Sequence, residues 1–318
     1  MKKVLSVMLA ALIILGLLTG CGQSGDEGQK TGDWTPVTVT DDLGREVTIE
    51  AEPQRPAVLI GSFAETWLLA GGTIGSTVTD SWEDFDLGLD ETVKDLGSSK
   101  KISMELLFDA EADLVIASAN TKAQVELKET LEKAGIPVLY FDVNGFEDYL
   151  RMLKVCTEIT GRSDLYEENG TKVEEQIEAV KASAKAASEE NGSPKVLLIR
   201  AAASGVHAKG SDDTVAGLIL RDLYVTNIAD GSDLTDNLSL EKIIEEDPDF
   251  IFIVQQGNDE EGTKQALNDT LTGNPAWAGL SAVKNEKVFY LDKSLYHFKP
   301  NARWGTAYEG LKEIIYGK

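Results

Sequence analysis

Histidine and cysteine are scarce, with two of each in 318 residues. A site for bare zinc or manganese needs three or four protein ligands, commonly several histidines. A metal carried by this chain is therefore expected inside an organic chelate. Cationic charge is short as well: 30 Lys and Arg stand against 54 Asp and Glu, a net charge of −24. Such a chain repels nucleic acid and anionic lipid, which disfavours both as partners. Motifs of catalysis are also missing: there is no G-x-S-x-G elbow, no phosphate-binding P-loop, no H-E-x-x-H and no C-x-x-C. The glycines of GGTIGS are closely spaced but do not follow a buried strand as G-x-G-x-x-G. The expectation is a protein that binds without turnover.

Only one long apolar run exists, Val4 to Leu18, preceded by Lys2 and Lys3. It is short for a membrane span and suits the h-region of a signal peptide over residues 1–20. The sequence Leu18-Thr19-Gly20-Cys21 resembles a bacterial lipobox, in which Cys21 would carry a diacylglycerol. Residues 21–34 are rich in Gly and acidic residues and read as a flexible tether. The mature protein is thus expected outside the cytoplasm, lipid-anchored to the cell membrane and touching it through that anchor alone. With Cys21 acylated, Cys156 has no disulfide partner; at helical spacing with Leu150, Leu153 and Ile159, it reads as a buried structural thiol.

Strand and helix signals alternate. VTVTDDLGREVTIE opens as a hairpin, followed by the buried strand AVLIGS, the helix AETWLLAGG and the short segment IGSTV. A Ser-x-Glu helix, the strand DLVIAS, the helix AQVELKETLEKAG and the strand IPVLYFD come next. The second half repeats the order with KVLLIRA, SDDTVAGLILRDLY, TNIAD, a second Ser-x-Glu helix, DFIFIVQ, a helix around TKQALNDTL, and EKVFYLD. Strands apolar throughout, alternating with amphipathic helices, indicate mainly parallel sheets flanked by helices. Two similar Rossmann-like α/β lobes are expected, over 35–162 and 191–318. Between them, residues 163–190 are rich in Ala, Glu and Lys with a weak point at Asn169-Gly170. They predict one long rigid helix, capped by Ser163, approaching about 40 Å at 1.5 Å per residue.

A lipobox, a hairpin start, two similar lobes and one connecting helix together resemble the class III substrate-binding lipoproteins of ABC importers. This Fe/B12 periplasmic-binding family comprises receptors for iron-siderophores, haem and cobalamin. The resemblance spans essentially the whole mature chain, including EEDPDFIFI and NPAWAGLSAVKNEKVFYLD. It implies a monomeric receptor with no cofactor of its own. Such a receptor would bind a metal chelate, first an iron-siderophore, between its lobes and deliver it to a permease dimer with its ATPase. Two other readings stand beside it: a haem or cobalamin receptor of the same fold, and a lipid-anchored sensor or surface-binding protein with no transport role.

One sentence is written twice: ISMELLFDAEADLVIA from Ile102 and LSLEKIIEEDPDFIFI from Leu238. Ser103 and Ser239 can cap the two helices, with Met104, Leu107 and Phe108, or Leu240, Ile243 and Ile244, on the apolar face. Glu105 and Glu241 occupy the second helical position, where the helix dipole favours a carboxylate. The plain reading is two surface glutamates; the resemblance implies that they engage arginines on the two permease subunits.

In lobes of this kind ligands sit at the carboxyl ends of strands. The candidates there are Ser62, Phe63, Trp82, Asn120, Arg200, Gln255, Tyr296, His297, Arg303 and Trp304. Trp82, Tyr296 and Trp304 would line an aromatic pocket, or pack within their own lobes. Arg303 would anchor an anionic group or pair with Glu309, and Tyr296 or His297 would suit a haem iron. Glu65 reads as a surface residue favoured by a helix dipole, and His207 as a loop residue near the cleft mouth.

Overall fold

The computed structural model describes residues 34–317. The signal segment, Cys21 and nearly all of the tether lie outside the described residues. Two five-stranded sheets organise the rest. In the first, Ser76–Thr77, Pro56–Val58, Leu114–Ser118 and Val138–Phe141 lie side by side and parallel, with Lys94–Asp95 added beyond Ser76–Thr77. In the second, Thr226–Asn227, Lys195–Ala202, Phe250–Gln255 and Val288–Leu291 repeat that four-strand order, again parallel. The duplication read from sequence is thus a duplication of topology. Each sheet carries its own core. Leu59, Leu107, Val115, Leu131 and Tyr140 pack in the first lobe, and Leu197, Ile199, Ile243, Ile251 and Leu271 in the second.

The repeated stretch occupies the same place in both lobes. Ser103 and Ser239 accept the backbone N–H of Leu106 and Lys242 and so start the helices Met104–Asp109 and Leu240–Glu246. Leu107 and Ile243 are fully buried. Phe108 and Ile244, expected on the buried face, are instead 44% and 41% exposed, because each helix is too short to present more than one apolar turn to its core. The aspartates that close the sentence also match. Asp113 accepts the backbone N–H groups of Gln54 and Arg55, at 2.7 and 2.9 Å, and Asp249 accepts that of Lys195 at 2.8 Å. Each carboxylate thereby fixes the start of the neighbouring central strand.

Several expectations need correction. The helix expected over residues 123–135 is broken into Lys122–Val125 and Lys128–Lys133, and the buried Tyr140 hydroxyl donates to the Gln124 carbonyl beside the break. His207 lies not in a loop but in Gly205–Ala208, an antiparallel strand added to Lys195–Ala202. The connecting segment runs as Ser163–Tyr166, a π-helical turn Glu167–Thr171 that contains Asn169-Gly170, and the helix Lys172–Asn191. Its cap is Arg162 and not Ser163, with the Arg162 guanidinium on Asp164 at 2.7–2.8 Å.

The connecting helix packs along the C-terminal helix Trp304–Tyr316, burying Ile177, Val180 and Ala184. Gly305 permits this approach: a Cβ there would fall 2.0 Å from Gln176 Oε1. Cys156 is fully buried in Phe146–Thr160, and burial pushes its thiol far above the ordinary range.

Candidate functional site

The lobes meet where the carboxyl ends of their strands converge. From the first lobe comes the short helix Asp80–Glu83 with Asp84 and Phe85; from the second, the segment 293–303 that follows the strand Val288–Leu291. Lys293 Nζ reaches Asp84 Oδ1 at 3.3 Å across the gap, and the Phe85 and Phe298 rings lie 5.2 Å apart. Gly61 lets Phe85 fold back over the first helix: a Cβ at that position would sit 2.6 Å from the Phe85 ring. Behind these contacts is a narrow crevice with about 10 Å³ of free volume, room for one water. Arg200, Lys209, Thr214, Val254, Tyr296 and His297 line it.

The charge around this crevice is positive, against the sign of the whole chain. His297 is mostly buried and its imidazole is held below the usual range. Burial is the main cause, and Arg200, Lys293 and Lys299 add to it. Lys299 is likewise pushed down, chiefly by desolvation, with Asp142 and Asp148 pulling the other way.

Of the residues expected at the site, Arg200, Tyr296 and His297 come together in the crevice, and Trp82 is half-buried on the helix Asp80–Glu83. Gln255 is half-buried at its strand end, its amide donating to the Gly257 carbonyl at 3.2 Å. Asn120 is exposed and donates to Asp142, so it stands at the outer edge.

The others are drawn elsewhere. Phe63 is 3% exposed with its ring edge-on to Phe141, since it falls on the inner face of the helix Gly61–Leu69. Ser62 is buried, and its carbonyl accepts from Asn301. Trp304 is fully buried against Phe146 and Tyr308 at the start of the C-terminal helix. Tyr296 stays in the crevice wall, and its hydroxyl donates to the Ala307 carbonyl at 3.1 Å. Arg303 donates to Ser294 Oγ at 3.3 Å and lies near Glu65. Glu65 is no surface residue: it is mostly buried, bonded to the Asn301 amide at 2.6 Å, and desolvation raises its pKa.

Sequence reasoning passed over Lys209, Lys293, Lys299, Asp84 and Asn301. A signal was present for Lys293 and Lys299. Residues 293–308, KSLYHFKPNARWGTAY, hold Lys293, Lys299 and Arg303 without a single carboxylate, in a chain where carboxylates outnumber cations.

A roomier hollow of about 530 Å³ lies elsewhere, against Glu46–Glu52 and residues 135–138. It sits at the amino ends of the strands Leu114–Ser118 and Val138–Phe141, the end opposite to ligand sites in sheets of this type.

Residues 57–295 match the family described as periplasmic binding protein. The chain belongs to that family. This receptor is 25% identical to the uncharacterized ABC transporter substrate-binding lipoprotein YvrC of Bacillus subtilis (strain 168), over 99% of its own length and 98% of the relative's. Among solved structures it resembles the siderophore-binding protein BauB, bound to ferric iron with two molecules of acinetobactin. The TM-score is 0.72 at 21% identity, covering 89% of this chain and 100% of that one. A periplasmic heme-binding protein from Pseudomonas aeruginosa follows the same fold, with a TM-score of 0.66 at 21% identity, covering 83% and 93%. The two lobes and the helix between them are the fold of these solute receptors. Membership of this family makes the protein a binding protein and not an enzyme, and the Bacillus relative is named as the substrate-binding lipoprotein of an ABC transporter.

Proposed function

We propose that this receptor binds a ferric siderophore between its lobes and hands it to the permease while tethered, as a monomer, by an acylated Cys21. The observation that carries the reading is a crevice at the carboxyl ends of the second lobe's strands, which the first lobe faces through Asp84 on Lys293 and Phe85 on Phe298. Those gating contacts are few and lie at the mouth. Separating them opens the cleft without breaking either core, as a bulky chelate requires.

Glu105 and Glu241 are the proposed docking residues. Both are exposed, both follow a Ser-capped helix start, and they occupy the same place in the two lobes. One carboxylate per lobe suits a partner that presents two equivalent cationic sites, where charge-assisted pairs fix orientation.

His297 supports a second reading. Its imidazole is in the crevice and is kept neutral, the state that ligates a haem iron. Native mass spectrometry and an absorption spectrum of protein purified from an iron-limited culture separate the two. A ferric chelate with a visible charge-transfer band supports the siderophore reading, and a Soret band replaces it with haem.

Uptake tests the transport role. Replacing Glu105 and Glu241 together with Ala is expected to abolish import while ligand affinity stays the same. Undiminished import by the double variant rejects the docking assignment. An intact ligand-binding protein that supports no import in its own cell points to the sensor role instead.

A further inference from the structure

The chain has carboxylates in excess, and it uses them to neutralise its arginines. Five of the seven, Arg45, Arg55, Arg151, Arg162 and Arg221, form ion pairs with Asp or Glu. The two that do not are Arg200, in the crevice, and Arg303, on the segment beside it. Lys209 and Lys299 share the pattern of Arg200: each is half-buried or more, and none of the three side chains makes a hydrogen bond or an ion pair with any described residue, Asp142 and Asp148 acting on Lys299 only from beyond contact. Lys293, the fourth cation of the cluster, is held by Asp84 and Asn258.

Withdrawing cations from water without a counter-charge is costly, and a chain this acidic could have supplied one. Solvation by bulk water, the usual fate of an unpaired lysine, is curtailed at Arg200 and Lys209 by the narrow crevice and at Lys299 by its own burial. The missing negative charge is what a ligand would bring. Resting on the reading of the protein as a ferric-chelate receptor, we infer that the cleft selects a chelate of net negative charge. Arg200, Lys209 and Lys299 would receive its oxyanions, and Lys293 would pass from Asp84 to the ligand as the lobes part.

The chemistry of chelates makes this a choice. Three hydroxamates neutralise a ferric ion and leave no net charge, whereas a polycarboxylate or three catecholates leave an anion. Guanidinium and ammonium groups bind carboxylate and catecholate oxygens by the same charge-assisted bonds. The shared requirement is therefore the oxyanion, whichever of the two groups provides it.

Tryptophan fluorescence titrations of the intact protein with ferric citrate, a ferric tris-catecholate and a neutral ferric trihydroxamate test the inference. At least one anionic chelate is expected to bind about tenfold or more tightly than the trihydroxamate, with affinity falling as salt rises. Whichever anion binds identifies the oxyanion group. Arg200→Gln and Lys299→Gln should each weaken that anionic chelate by about tenfold. Both ligand-free variants should melt no lower than the parent, because they remove unpaired buried charge. A trihydroxamate bound as tightly as the anions, or variants with unchanged affinity, would overturn the charge assignment and leave the receptor intact. Failure of the parent protein to bind any ferric chelate would overturn the receptor reading and this inference with it.

Discussion

The side-chain amide of Asn301 donates to the Ser62 carbonyl at 2.9 Å, joining residues 239 positions apart. The same nitrogen donates to Glu65 Oε2 at 2.6 Å, and Asn301 Oδ1 accepts from Thr66 Oγ1 at 3.3 Å. A residue of the C-terminal half is thus locked into the first helix of the N-terminal lobe, and it is 1% exposed. Its backbone lies at φ 53°, a left-handed conformation that asparagine tolerates better than most residues.

Asn301→Ala should therefore be costly. It strips a mostly buried carboxylate and a buried carbonyl of their donor and puts alanine, which tolerates the left-handed region less well than asparagine, at φ 53°. A loss of about 2–4 kcal/mol is expected in chemical denaturation. A loss under about 0.5 kcal/mol would show that the Asn301 contacts add little to the hold between the lobes.

His297 should make stability depend on pH. Its pKa is lowered in the folded protein from an ordinary value of 6.5, so the unfolded chain binds the proton more readily. The stability tied to the neutral imidazole is complete above the unfolded value and is lost as pH falls from about 6.5 through the folded pKa. His297→Asn removes that loss. The melting temperature of the parent relative to the variant should fall between about pH 7.5 and pH 5.5. A difference that does not change with pH would mean that the imidazole is solvated.

Asp113 and Asp249 should behave as counterparts. Asp113→Ala frees two backbone N–H groups and Asp249→Ala one, so both destabilise, the first by more. About 1–2 kcal/mol each is expected at these partly exposed sites. Additive losses in the double variant would fit two independent lobes, and strong coupling between sites so far apart would contradict that.

The fold was legible because its signals are local and repeated. Apolar runs such as LVIAS and FIFIVQ, the Ser caps at Ser103 and Ser239, and the Ala- and Glu-rich connector each declare an element over a few residues. The site was less legible because facing is not a local property. Phe63 and Arg200 both lie near strand ends, yet one packs on Phe141 and the other lines the crevice. Asn301 carried no pattern at all. Its partners Ser62, Glu65 and Thr66 are reached only after the chain has built both lobes and returned.

The acid-free run at 293–308 serves several duties at once. It supplies the gate through Lys293 and Phe298, a crevice wall through His297, and the bolt between the halves through Asn301. Recognition and jaw mechanics are thus inherited as a unit. A lineage that retunes this receptor for a new cargo by editing that run also resets how readily the jaws part. Changes of diet are then expected first at positions outside the run, such as Arg200 and Lys209, where the selectivity of the pocket shifts and the hinge is left alone.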